Sequence, residues 1–222
     1  MKKSIKKLSG IGQYYLESVP YANGRWYYAI DSNHGDIYEA QEIFEQGHEL
    51  KGDVLTLVSY PEGEIRYQSG RRKNVSYVSP VFVDGCVFFA AVDFNEKEIS
   101  ICRFDPEEGR INIVEELSLD KLETCYNLNL FGEPLTLSVQ YGKDGEMIFH
   151  IVYPEDVTIK GELRESFYHR EGDRLYSCRW HEDEDLNYYE DTVVRSVKSG
   201  EIIEEFEGDV TVMPDGQMWL IK

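Results

Sequence analysis

Three carboxylates stand at equivalent places along this chain. Glu17, Glu165 and Asp209 each lie seven residues before a glycine that opens a strand-like run, and the same offset before two further such glycines finds Val78 and Cys125. Carboxylates brought together repel one another. Such a group holds a proton near neutral pH, binds a cation or polar ligand, or divides into an acid and a base. The bland alternative is that each side chain caps backbone amides where its strand begins, or faces water. No Ser-His-Asp or Cys-His order, P-loop or G-x-G-x-x-G accompanies them.

Other residues invite chemistry of their own. Arg71 and Arg72, followed by Lys73, form the one dense cationic patch beyond the N-terminal lysines. They can grip a ligand carboxylate or phosphate through charge-assisted bonds, or pair with the protein's own acids, which is the favoured expectation. Trp180 and His181 open the run "WHEDEDLN", an aromatic and an imidazole set against four acids. The run lacks the spacing of a calcium loop and reads as a solvated connection, with Trp180 and His181 as ligand-binding candidates. His34 and His48 stand without an H-E-x-x-H motif or a Cys/His cluster, so neither a metal site nor a cofactor is expected.

What must position these residues is a repeat. "ANGRWYYAI", "VDGCVFFAA", "LFGEPLTLS", "REGDRLYSC" and "MPDGQMWLI" each carry a glycine before an apolar run, and the glycines are 24, 85, 132, 172 and 216. After one longer first interval they recur about every 45 residues. A second tight turn follows each of the first four, as in "SYPEGEI" and "VKSGEI". Each repeat therefore reads as four antiparallel strands, most clearly at 77–83, 86–93, 98–104 and 110–116.

In this pattern the chain resembles five-bladed β-propellers, a resemblance of architecture that no family-specific motif narrows. It implies one all-β domain over 1–222, with blades near 17–68, 77–116, 124–163, 165–207 and 208–222. Residues 3–8 and 11–16 are expected to add two strands to the last blade and close the ring, because "LSGI" is similar to the turn in "KSGEI". Residues 36–46 break the strand pattern: Ile37, Ala40 and Phe44 fall at helical spacing, between Asp36 as cap and Gly47 as stop. The excess length lies in 32–52, 69–76, 117–124 and 181–187, connections expected on one side of the blades, where binding residues usually sit. The three carboxylates also resemble, in number, those that five-bladed glycosidases hold centrally, which implies an acid, a base or nucleophile, and a tuning group.

Composition excludes some partners. A formal net charge of −19 repels phosphate backbones and anionic lipid, so neither nucleic acid nor a membrane is expected. The basic start has no apolar run behind it, and the four cysteines show no CxxC spacing, so the chain reads as cytoplasmic with reduced thiols. The expected function is a non-catalytic binding module for a polar small ligand, such as a carbohydrate, or for a partner protein. The alternatives are a glycoside hydrolase using Glu17, Glu165 and Asp209, and an inert interaction scaffold.

Overall fold

A computed structural model describes residues 5–12 and 15–222. Among them the protein is all-β with one α-helix, built of four-stranded antiparallel sheets of the β-propeller kind. It divides into two compact units, Met1–Asp120 and Lys121–Lys222.

The first unit holds two complete blades. Blade one is β1 (Glu17–Ser18), β2 (Trp26–Asp31), β3 (Val54–Ser59) and β4 (Glu64–Gln68). Blade two is β5 (Val75–Val83), β6 (Cys86–Asp93), β7 (Glu98–Asp105) and β8 (Arg110–Ser118). Large side chains fill the space between them: Trp26, Tyr28 and Leu57 of blade one pack with Tyr77, Phe89 and Phe104 of blade two. Trp26 meets Phe104 edge-on at 5.6 Å, and Tyr67 stacks on Phe89 at 5.7 Å. Trp26 and Phe89, which follow the turn glycines of blades one and two, are thus core between blades, where each ring removes a large apolar surface from water. Trp219, after Gly216, is by contrast 55 % exposed.

The insertion in blade one is the expected helix. α1 (Ile37–Glu45) begins at Asp36, whose carboxylate accepts from the Glu39 amide at 2.9 Å. It ends in a Schellman pair, with His48 N donating to Ile43 O and Gly47 N to Phe44 O. Gly47 sits at φ +81°, which a side chain would strain. Ala40 is fully buried, Phe44 stacks on Phe94 at 5.6 Å, and Glu42 and Glu45 face water.

The second unit holds blade three, β9 (Asn129–Phe131), β10 (Thr136–Lys143), β11 (Glu146–Tyr153) and β12 (Val157–Glu162). Blade four is β13 (Glu165–Glu171), β14 (Arg174–Glu182), β15 (Tyr188–Ser196) and β16 (Ile202–Glu207). Phe131, Phe149, Phe167 and Leu175 form the core between them. The first turn of blade three departs from its siblings. It contains a cis Glu133–Pro134 bond, and Gly132 is not among the glycines with positive φ.

The fifth blade is the correction. After blade four the described residues form a two-stranded sheet, β17 (Asp209–Val212) with β18 (Met218–Ile221), so among the described residues there are four complete blades and not five. The expected strands 3–8 and 11–16 lie partly outside the described residues, and their described parts are not strands. Gly10 and Gly12 adopt φ of +84° and +80°, which breaks an extended backbone twice in three residues. Ile11 is instead buried with Ala29 and Val58 of blade one, and Gly10 O accepts from Gln68 Nε2 at 2.7 Å. The apolar anchor of the segment outweighed its similarity to a hairpin turn.

Candidate functional site

The carboxylates singled out by spacing have separate fates. Glu17, exposed on the short strand β1, accepts from the Tyr28 hydroxyl at 2.8 Å. Glu165, at the start of β13, is fully buried. It accepts from Arg195 Nε at 2.9 Å, from the Ser177 hydroxyl at 3.0 Å and from the Glu162 amide at 3.0 Å. Burial alone would raise its pKa. Arg195, the Glu162 amide and Ser177 outweigh that and hold it below the ordinary carboxylate range. The protein's own donors thus occupy both of its carboxylate oxygens.

The cationic patch is likewise spoken for. Arg71 bonds to the Asp31 carboxylate and the Gly52 carbonyl, Arg72 pairs with Asp93, and Lys73 reaches Glu49 at 2.8 Å. These arginines fasten the connections around blades one and two.

Asp209 has different company. The β14–β15 register sets Cys178 opposite Thr192, Trp180 opposite Glu190 and Glu182 opposite Tyr188. Opposed residues of an antiparallel pair share a face, and residues two apart along a strand share it too. Cys178, Trp180, Tyr188 and Glu190 therefore stand on one face. β17 brings Asp209 beside them, because it starts against β15. Gly208 bridges to Asp191, its amide donates to Glu190 O at 2.9 Å, and its carbonyl accepts from the Thr192 hydroxyl at 2.9 Å. Gly208 has φ +102°, and a Cβ there would lie 2.2 Å from Ile221 O, so only glycine permits this approach.

The outcome is a compact donor and acceptor set. One ligand atom each from Cys178, Glu190 and Asp209 lies within 4.8 Å of the others. Burial, then the charges of Glu190 and Asp209, push the Cys178 thiol up to about 12, so it is a protonated donor at neutral pH. A thiol and two carboxylates at this range are also chemically able to hold one borderline divalent ion, which would displace the thiol proton. Burial raises the neighbouring Tyr168 hydroxyl too, with Asp209 and Cys178 adding to the shift.

Beside this set the aromatic surface is open. Trp180 is 44 % exposed and Tyr188 71 %, their ring centroids 6.4 Å apart, with the Arg164 guanidinium 5.1 Å from the Trp180 ring. On the opposite face Tyr189 is 52 % exposed, but the ionisable groups are paired. His181 stacks on Tyr189 at 4.7 Å and bonds Asp191 at 2.9 Å, while Arg179 reaches Glu162 at 3.0 Å and Glu205 at 2.8 Å. Of the two candidates in the acidic run, Trp180 thus stands on the face of Tyr188 and Glu190, and His181 on the other face, bonded to Asp191. Asp183 turns inward on the loop, accepting from the Asp185 and Asn187 amides at 2.9 Å each. Both bonds are made by Oδ1, an oxygen a calcium loop would need.

Tyr188 and Glu190 escaped the sequence reading because 181–187 reads as a loop. The hairpin extends to Glu182 and resumes at Tyr188, and counting in twos across that short turn would have placed both residues with Trp180. No protein-family model matches this chain, and no curated protein matches it closely.

Proposed function

We propose that this protein is a non-catalytic binding module whose ligand is a polar small molecule of the carbohydrate class, taken on the open face of the β14–β15 hairpin. The observation that carries this reading is the adjacency of two exposed rings, Trp180 and Tyr188, to the acceptor carboxylates Glu190 and Asp209. A sugar presents a flat C–H surface that stacks on an aromatic ring, and rim hydroxyls that donate to carboxylates. The two rings are rigid, exposed apolar contacts on this face, so they should dominate affinity.

Glycoside hydrolysis is the second reading. It draws on the closeness of Glu190 and Asp209, whose oxygens approach within 4.8 Å, near the roughly 5–5.5 Å of a retaining pair. Glu165 no longer serves it, being tied to Arg195.

A glycan array followed by calorimetry on the best oligosaccharide tests the proposal. Trp180→Ala should weaken binding about 30-fold, the equivalent of about 2 kcal/mol. Loss of the half-exposed ring should cost no more than about 1–2 kcal/mol of stability, so the variant remains folded while binding is measured. Binding unaffected by Trp180→Ala and Tyr188→Ala, or no glycan bound by the wild type, overturns it. Release of aryl from aryl glycosides, lost in Asp209→Asn, would establish the hydrolase instead.

A further inference from the structure

His34 lies between α1 and the body of the first unit, and its ring is sealed. The side chains of His34 and Asp53 are each 2 % exposed, and Ser76 is fully buried. Nδ1 is 3.1 Å from the Asp36 carbonyl, at the cap of α1. Nε2 is 3.1 Å from both Ser76 Oγ on β5 and Asp53 Oδ1, in the segment leading to β3. That buried carboxylate oxygen has no well-aligned hydrogen-bond donor, and its contact with Nε2 is an ion pair when the ring is charged. A neutral imidazole donates from one nitrogen only. A neutral ring can donate from Nδ1 to the Asp36 carbonyl and accept at Nε2 from the Ser76 hydroxyl, but it then offers Asp53 nothing. Only the imidazolium presents Nε2–H and a positive charge to that buried carboxylate.

We propose that His34 is a pH-sensitive latch, whose protonated ring holds the N-terminal end of α1 onto blades one and two and whose deprotonation releases it. The groups facing the ring come from every element around it: Asp53 before β3, Ser76 and the adjacent Tyr77 on β5, and Asp36 and Glu39 of α1. Arg72 bears on Tyr77 and is itself paired with Asp93. Burial alone would lower the His34 pKa. The bond and charge of Asp53, then the Asp36 carbonyl and Glu39, outweigh it and raise the value above 6.5. A raised value means the latch is fully closed below about pH 6.5 and opens as pH rises through the folded-state value.

Deprotonation with the helix in place leaves the Asp53 carboxylate buried without a counter-charge, which costs more than freeing a short helix, so opening relieves it. At its other end α1 keeps the Phe44–Phe94 stack, so the movement is a swing and not a loss of the helix. The acidic face of α1, with Glu39, Glu42 and Glu45, is what changes position.

The test is a pair of titrations on the full chain from about pH 5.5 to about pH 9. NMR follows the His34 ring protons, and hydrogen exchange of the α1 amides, corrected for its chemical pH dependence, follows release. The ring should titrate above 6.5, and exchange should rise with the same midpoint, about tenfold for each unit of elevation. Asp53→Asn should bring the midpoint to 6.5 or below and remove the step in exchange, whereas Ser76→Ala should keep both. A wild-type ring that titrates at or below 6.5, or α1 exchange that shows no step, overturns the latch, and both readings are made without any variant.

Discussion

At the scale of single residues, Glu165 shows how a carboxylate found by its spacing becomes structural. Its counter-charge, Arg195, is 30 residues further along on β15 and carries no sequence mark of the partnership. Spacing located the acid at the head of its strand but could not see what the second strand over would bring to it. Glu165→Gln should cost about 3–5 kcal/mol in denaturant unfolding, because Arg195 is left charged and buried. The pH dependence has a definite sign. Glu165 is held below its usual 4.5, so the pair's contribution is complete above about pH 4.5 and disappears as pH falls through the folded-state value. The stability gap between wild type and Glu165→Gln should therefore narrow in acid and stay constant around neutrality.

At the scale of elements, α1 and the β14–β15 hairpin make a contrast. The helix was legible because every signal is local: an acceptor at Asp36, apolar residues at helical spacing, and a glycine that tolerates the left-handed exit. Its partner Phe94 was not, since the stack closes across 50 residues. Phe44→Ala should lower unfolding stability by about 1–2 kcal/mol, the value of a half-buried ring with an aromatic partner. Asp36→Ala should cost about 1 kcal/mol through the lost cap. Urea midpoints at constant slope measure both. The hairpin was misread for the opposite reason. Its strands run on through "HEDEDLNYY", where charge and turn residues mask the alternation that sets Trp180, Tyr188 and Glu190 on one side.

At the scale of the whole molecule, the repeat was readable and the count of blades was not. Turn glycines and alternating apolar residues repeat in every blade and dictate the sheets. Whether two more strands join the last sheet depends on where a single residue, Ile11, finds better burial, and no periodicity records that. Charge acts over all of it. With a net −19 the folded chain repels itself, and mobile ions relieve that repulsion. The thermal midpoint should rise as sodium chloride increases from about 10 mM to about 0.2 M, and calorimetry at constant pH measures it. A midpoint that falls would mean that paired charges, such as Arg195–Glu165 and Arg71–Asp31, outweigh the net repulsion.

Gly208 touches no ligand in either reading of the site, yet the site has little tolerance for its replacement. A single methyl there would strike the carbonyl of Ile221 and force the backbone out of a left-handed turn. The bonds to Glu190 and Thr192 that seat Asp209 would then have to give way. In a saturation scan read out by ligand capture, position 208 should appear as a blank column, every substitution inactive. Position 216, also left-handed but with open space around it, should lose stability and keep its grip on ligand.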